Sequence, residues 1–345
     1  MTRTEILHQT SQILTQAGID DPSREARLLV CAALGVDGAE LLARDAGLSA
    51  DQEKKVWEWA ERRAKREPLA RIRGSREFWE SSFLLNEATL EPRPESETLI
   101  ELAMELFSGN EFSQKEDRTP LPSAYAKASA DEFAQVTRRS LGEAGSGGAG
   151  GGHRAARSRS CLVRPSPLSP PEGRGNEIRI LDLGTGTGCL LLSLLQEFLN
   201  ATGTGTDQSA RAVEAARENA RALGFKNRAR FICTNWAEGV EEKFDLVISN
   251  PPYIPVKDIP QLQAEVRLFD PAAALAGGAD GLQAYREIAL ILPRLLSENG
   301  RAVVEIGQGQ EEDVAAIFAH AGFKNIQQKK DLGGIIRALA FAAPL

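Results

Sequence analysis

Cysteine and histidine are scarce in this chain. Cys31, Cys161, Cys189 and Cys233 and the histidines His8, His153 and His320 are the whole supply in 345 residues. They are spread too widely to draw a Cys/His zinc spacing or a disulfide framework, which argues for a reducing compartment and against a structural metal. Long apolar runs are also lacking: none approaches the ~18 residues that a membrane span needs, and Met1 to Gln9 has no apolar signal core. Nor is there an excess of positive charge. Lysine plus arginine number 41 against 48 aspartate plus glutamate, a net charge of −7, which makes the chain a poor candidate for binding duplex nucleic acid through a general basic surface. The expectation is a soluble, cytoplasmic, unprocessed protein without a metal. Its length suggests two domains and a core large enough to need no covalent staple.

Residues 1 to about 67 read as helices. Ile6, Leu7, Ile13 and Leu14 recur at helical spacing. Asp20, Asp21 or Ser23 can cap a second helix running through Leu28, Leu29 and Ala33 to Gly35, and Ser49 or Asp51 can start a third that carries Val56, Trp57, Ala60 and Ala64 and stops at Pro68. The charged side chains at 58–67 read as a solvated face. Glu77 to Leu85 suits a short hairpin. Pro92 and Pro94 then fix an extended stretch around Arg93 before a helix through Leu99, Leu102 and Leu106, with Ser96 or Thr98 as its cap.

Residues 109 to about 176 break this pattern. Seven of the eleven residues from Gly142 to Gly152 are glycine, and Pro165, Pro167, Pro170 and Pro171 follow a run rich in arginine. No periodic apolar face emerges, so a disordered insert is predicted. It holds ten basic and seven acidic side chains, which leaves −10 on the rest of the chain. The basic run around Arg154, Arg157 and Arg159 can touch RNA, but a solvated loop is the plainer use of it. From Ile178 onward strands and helices alternate. Strands are predicted at 178–181, 202–206, 229–233, 244–249, 301–306 and 335–341, with helices near 189–199, 209–222, 281–297 and 310–321. That order predicts a mostly parallel α/β sheet covered on both faces, with its chemistry at the carboxyl ends of the strands.

Four strand ends carry the informative residues. The first strand runs into Asp182-Leu-Gly-Thr-Gly-Thr-Gly188, whose glycines let the backbone turn tightly and let a ligand approach without a Cβ in the way. The dinucleotide fingerprint would need glycine or alanine where Cys189 stands, and the P-loop lysine is missing, so a phosphate cradle is disfavoured. Asp207, about 20 residues on, ends the second strand where a carboxylate can accept both hydroxyls of a ribose. A tight turn followed by a helix cap is the plainer alternative. Past the third strand, Asn235-Trp236 puts an amide and an aromatic where an adenine could be read.

The strand Phe244–Ser249 ends in Asn250-Pro251-Pro252-Tyr253. Two consecutive prolines donate no backbone hydrogen bond and hold the chain extended. An Asn oxygen and a proline carbonyl then offer two acceptors to a planar NH₂ group, and Tyr253 offers a flat face to cover it. A proline-stiffened turn is the plain alternative. Glycine loop, ribose acid and Asn-Pro-Pro-Tyr in this order resemble the class I S-adenosylmethionine-dependent methyltransferases that act on planar nitrogen, which include both adenine-N6 and protein glutamine-N5 enzymes.

Five motifs narrow the choice: Gly74-Ser-Arg-Glu-Phe-Trp79, Pro-Arg-Pro-Glu-Ser-Glu at 92–97, Asp182 to Gly188, Asn250 to Ile254, and Glu265-Val-Arg-Leu-Phe-Asp-Pro271 continued by Ala-Leu-Ala-Gly-Gly-Ala-Asp-Gly281. Together they resemble the release-factor glutamine methyltransferase family (PrmC/HemK), over nearly everything except 109–176. The resemblance implies N5-methylation of the glutamine in the Gly-Gly-Gln motif of bacterial peptide chain release factors, with S-adenosylmethionine as donor and no metal. It implies that Gly184, Thr185, Gly186, Thr187 and Gly188 line the cofactor, Asp207 takes the ribose, Trp236 lies by the adenine, and Asn250, Pro251, Pro252 and Tyr253 bind the glutamine amide, Asn250 also bordering the cofactor. Asn250, Pro251 and Tyr253 are the catalytic candidates.

The implied fold is a class I methyltransferase Rossmann-like sheet with a small all-helical release-factor-binding domain at 1–73, a hairpin and linking helix at 74–108, a disordered insert at 109–176 and the methyltransferase domain at 177–345. A monomer that touches neither membrane nor nucleic acid is expected. Departures from the family pattern are Glu91 at an apolar position, Ser96 for threonine, Asn235 for aspartate, and the insert itself. The competing expectations are a nucleic-acid adenine-N6 methyltransferase and a release-factor-binding protein disabled by the insert.

Overall fold

The computed structural model describes residues 1–43, 45–107 and 177–343; the predicted insert at 109–176 lies outside them. The first seventy residues are helical, as expected. The helices are α1 (Arg3–Gln16), α2 (Pro22–Leu34), α3 (Gly38–Ala43), α4 (Ala50–Ala64) and α5 (Leu69–Arg73). Among the offered caps the chain uses Asp21, which accepts from Arg24 N, and Ser49, which shares a capping box with Gln52. Each satisfies a backbone donor that the first turn leaves orphaned. Ile6, Leu29, Val30 and Val56 meet in the core of this bundle. Helix α4 ends before Pro68, because Lys65 caps it and Arg66 turns the chain with φ +73°.

One reading of this region needs correction. The charges at 58–67 are not simply solvated: Arg63 is buried, and its guanidinium reaches Glu25 at 2.9 Å and Glu265 at 3.1 Å. Arg66 joins Glu265 at 3.3 Å. The partner carboxylate lies some two hundred residues away, so no local pattern could show it. These pairs tie the helical bundle to the segment that follows Asn-Pro-Pro-Tyr.

The hairpin forms from β1 (Ser75–Phe78) and β2 (Ser81–Leu84), and a 3-10 turn at Pro94–Ser96 leads into α6 (Glu97–Phe107). Here the cap expectation fails for both residues. The Thr98 hydroxyl turns back to the Glu95 carbonyl, and the Ser96 hydroxyl points to Glu305.

The main sheet holds β3 (Arg179–Leu183), β4 (Thr202–Asp207), β5 (Ala229–Cys233), β6 (Phe244–Ser249), β7 (Leu296–Glu305), β8 (Lys324–Lys330) and β9 (Ile336–Ala342) in the order β5-β4-β3-β6-β7-β9-β8. The first five of these strands run parallel, and β9 is antiparallel to both of its neighbours. Helices α7 (Cys189–Glu197) and α8 (Ala210–Ala222) alternate with the early strands. The short α9 (Ala264–Phe269) and α10 (Ala272–Leu275) precede α11 (Gln283–Leu295), and α12 (Glu311–His320) follows β7.

Both faces of the sheet are apolar because successive side chains point to opposite sides. Ile180, Leu246, Ile248 and Val303 pack with Leu99 and Leu102 of α6, Leu191 and Leu194 of α7 and Val213 of α8. Leu181, Val247, Ala302 and Val304 pack with Ile288 and Leu292 of α11 and Phe318 of α12. This is the class I methyltransferase Rossmann-like sheet. Between β3 and β6 the chain changes its direction of travel across the sheet, and a crevice opens at the carboxyl ends of those strands. The seventh strand, β8, has no counterpart among the predicted strands.

Candidate active site

The glycine loop follows β3 directly and closes on the end of β4. Gly184 N–H and Thr185 N–H both donate to the Thr206 carbonyl, at 2.9 and 2.8 Å. Gly184 and Gly186 have φ of +74° and +54°, and a Cβ at either would meet no protein atom within 4 Å. The loop thus presents open backbone to the crevice. Thr187 is buried at its far end, and its carbonyl accepts from Asn219 Nδ2 at 2.9 Å. Gly188 packs inward instead, where a Cβ would come within 3.3 Å of Ala216 and Leu192.

Asp207 stands opposite, at the end of β4. Its Oδ2 accepts from Gly186 N–H at 3.0 Å and its Oδ1 from Ser209 N–H at 2.8 Å. Both oxygens are thereby oriented, and each keeps a lone pair for a further donor. Burial holds this carboxyl above its ordinary range, against those two backbone donors. Asp182, on β3, is buried outright and is pushed up to about 7 by desolvation, with Thr185 opposing and the Asp207 charge adding to the rise. Its Oδ2 accepts from Thr185 Oγ1 at 2.6 Å, while its Oδ1 is buried without a partner.

Open glycines, an oriented carboxylate and a buried acceptor awaiting a donor fit a nucleoside carrying an ammonium group. Trp236 follows β5, the strand paired with β4, with φ +46° and its indole N–H donating to Glu287 Oε2 at 2.6 Å. Asn235 beside it is exposed. The indole N–H of Trp236 is thus committed within the protein.

On the other wall, Asn250-Pro251-Pro252-Tyr253 leaves β6 and is gripped from outside. Ile254 N–H donates to the Leu275 carbonyl at 3.1 Å, and Gly277 N–H donates to the Ile254 carbonyl at 2.9 Å. A Cβ at Gly277 would lie 2.8 Å from the Pro252 carbonyl, and one at Gly281 would lie 2.5 Å from that of Tyr253. The glycine-rich motif at 274–281 is therefore the seat of this segment.

The Asn250 amide donates from Nδ2 to Ser96 Oγ at 3.0 Å, and Ser96 Oγ donates to Glu305 Oε2 at 2.5 Å. Tyr253 OH donates to Glu305 Oε1 at 3.3 Å, which spends the phenol tip on the protein; burial and Glu305 raise its pKa. A cavity of about 480 Å³ opens beside them, lined by Asn250, Pro251, Tyr253, Glu305, Arg93 and Arg337 and by the apolar Leu90, Leu262, Val266 and Leu275. Asp270 braces its wall, with one carboxylate oxygen 2.6 Å from Arg71 of α5 and the other 2.6 Å from Arg93.

The residues named from the sequence thus divide between two adjoining walls. Glu305 and Arg337 were not foreseen. The one available signal was a carboxylate closing an apolar strand at the sheet's carboxyl edge, where ligands bind; for Arg337 there was none. Among the described residues no group of three or more His, Cys, Asp or Glu could hold a metal ion, and no helix is long and apolar enough to cross a membrane.

Residues 5–74 match the PrmC N-terminal domain and residues 170–277 the methyltransferase small domain. The chain is 38% identical over 327 residues to the release factor glutamine methyltransferase of Rhodospirillum rubrum, covering 94% of this chain and 80% of that one. It is 37% identical over 329 residues to the enzyme of the same name from Agrobacterium fabrum, covering 95% and 93%. The chain belongs to the release factor glutamine methyltransferase family. It is therefore an enzyme, an S-adenosylmethionine-dependent methyltransferase. Membership in the release factor glutamine methyltransferases also explains why the five motifs gather here: all but the first contribute side chains or backbone to the walls just described, and the first forms the hairpin beside them.

Proposed function

We propose that this enzyme methylates the side-chain nitrogen of the glutamine in the Gly-Gly-Gln motif of peptide chain release factors. The reading extends to residue roles. Gly184 to Gly188, Asp207 and Trp236 hold S-adenosylmethionine, Asn250 borders it, and Asn250, Pro251, Pro252 and Tyr253 hold the glutamine amide. The helices of residues 1–73 serve as the docking platform for the release factor, and the enzyme acts as a cytoplasmic monomer without a metal. The observation that carries the reading is Asn250. Its amide nitrogen is tied to Ser96, so its oxygen is left for the cavity it lines. An oxygen aimed there suits a substrate NH₂ group.

Once bound, S-adenosylmethionine supplies an electrophilic methyl group on a sulfonium. The chain's own work is to present the nucleophile. An amide nitrogen is weakly nucleophilic because its lone pair is delocalised, so holding it in line and stabilising the positive charge that grows on NH₂ are what the site can contribute. Asn250 Oδ1 and the Pro251 carbonyl are suited to accept from that NH₂. The apolar residues Leu90, Leu262 and Val266 give the aliphatic stem of glutamine a dry lining.

The test is transfer of labelled methyl from S-adenosylmethionine to a purified release factor, beside a factor whose Gly-Gly-Gln glutamine is replaced. Label on the unaltered factor alone supports the reading. Equal label on both, or none with cofactor still bound, overturns it.

A further inference from the structure

A carboxamide has two chemically opposite ends of nearly the same shape, and Asn250 works as described only with its oxygen toward the cavity. Something must prevent it from turning over. Asn250 Nδ2 donates to Ser96 Oγ at 3.0 Å, and Ser96 Oγ donates to Glu305 Oε2 at 2.5 Å. A serine hydroxyl has a single hydrogen, whereas an ionised carboxylate only accepts. Once that hydrogen is committed to Glu305, the Ser96 oxygen can only accept from Asn250. The nitrogen end is drawn to Ser96 and the oxygen end is turned outward. Resting on the glutamine reading above, we propose that Ser96 and Glu305 are positioning residues that fix the polarity of Asn250, so that the site accepts an NH₂ donor and rejects a carboxylate in its place.

The surroundings of Glu305 are built for this. Its side chain is buried at the end of β7, and its second oxygen, Oε1, is occupied by Tyr253 OH at 3.3 Å. The groups that face it come from every neighbouring element. Ser96 and Glu95 lie on the turn before α6, Tyr253 on the segment after β6, Arg337 on β9, and the Cys189 thiol at the start of α7. Tyr285 of α11 donates to the Glu305 backbone carbonyl at 3.0 Å. Burial above all, with Glu95, disfavours the ionised carboxylate, and Ser96, Tyr253 and Arg337 favour it; the outcome is a carboxyl pushed up to about 7. When protonated, Glu305 can donate to Ser96, Ser96 can donate to Asn250 Oδ1, and the carboxamide can turn its NH₂ to the cavity. Methyl transfer should therefore fall as pH is lowered through about 7.

Ser96→Val and Ser96→Thr are close in volume and differ in the hydroxyl, so comparing them cancels most of the packing change. Ser96→Val should lower kcat about tenfold, the worth of one oriented hydrogen bond, with cofactor affinity by calorimetry unchanged. Ser96→Thr should restore most of that loss. Glu305→Gln should flatten the step near pH 7, and a release factor carrying glutamate in place of the glutamine should inhibit this variant more strongly than it inhibits the unaltered enzyme. Equal kcat for the Val and Thr variants, or an unchanged pH step in Glu305→Gln, overturns the proposal while the unaltered enzyme still labels its glutamine. Failure of the unaltered enzyme to label that glutamine is the distinct result that removes the underlying reading as well.

Discussion

The wall we assign to the cofactor draws its main groups from one continuous stretch, Asp182 to Asp207, in which a strand, a loop, a helix and a second strand follow each other without interruption. The wall we assign to the glutamine instead gathers Ser96, Asn250, Tyr253, Glu305 and Arg337 from segments up to about 240 residues apart in the chain. The first wall orders its groups with backbone: Asp207 is oriented by two N–H donors, and the glycines offer main chain. The second holds them with side chains in a relay, where each member depends on the next. A backbone-built wall tolerates change in its neighbours, whereas a relay transmits it. Substitutions should therefore separate cofactor binding from transfer.

The largest separation is expected at Asn250. Asn250→Ala should lower the single-turnover rate by about 10²-fold or more, the worth of a donor or acceptor aimed at developing charge, while calorimetry finds S-adenosylmethionine bound as before. Turnover near that of the unaltered enzyme would end the role given to Asn250. Next is Asp270→Ala, which strands Arg71 and Arg93 beside a buried site. It should destabilise the fold by about 3 kcal/mol, the low end for removing one partner of a buried ion pair because Arg93 is partly exposed. Urea unfolding measures it, and a loss under 1 kcal/mol would show that the brace is dispensable.

On the other wall, Asp207→Ala removes the oriented acceptor and should weaken cofactor affinity by about 2 kcal/mol, in the range of hydrogen bonds to charged groups. The transfer rate at saturating cofactor should change far less. Equal loss in affinity and in rate would erase the distinction between the walls. Smaller still is Gly277→Ala, whose Cβ would press on the Pro252 carbonyl. Overpacking of this kind costs about 1–2 kcal/mol, and it should appear as a raised KM for the release factor with unchanged cofactor binding.

The same contrast decides what the sequence could reveal. The sheet from β3 to β7, and the placement of the glycine loop, Asp207 and Asn250 at its carboxyl edge, were legible because each depends on neighbours within a few residues. Strand β8 was not: Lys-Asn-Ile-Gln-Gln-Lys-Lys has no apolar alternation, being an exposed edge strand whose lysines also guard it from pairing with another chain. Ser96 and Arg63 were each given a plausible local task, a cap and a solvated charge. Both are instead engaged by carboxylates about two hundred residues downstream, Glu305 and Glu265. The glycines at 277 and 281 were visible only as part of a family motif; their physical reason is the proximity of the Pro252 and Tyr253 carbonyls.

The finest test of the two walls is pH. Asp182 and Glu305, one on each wall, are buried and held up at about 7. A carboxyl raised in the folded protein binds its proton more tightly there than in the unfolded chain. The stability it contributes is complete below about pH 4, where the unfolded chain also holds the proton, and is lost as pH rises through about 7. The urea midpoint of the cofactor-free enzyme should therefore fall between pH 6 and pH 8. Cofactor affinity should run the other way. Asp207 is also raised by burial, and in the role proposed for it must be ionised to accept two hydroxyls, so affinity should weaken as pH is lowered toward its titration. Measured on one preparation, stability and affinity should cross. If both rise or both fall with pH, Asp182 and Glu305 on the one hand and Asp207 on the other do not carry the opposed roles given to them.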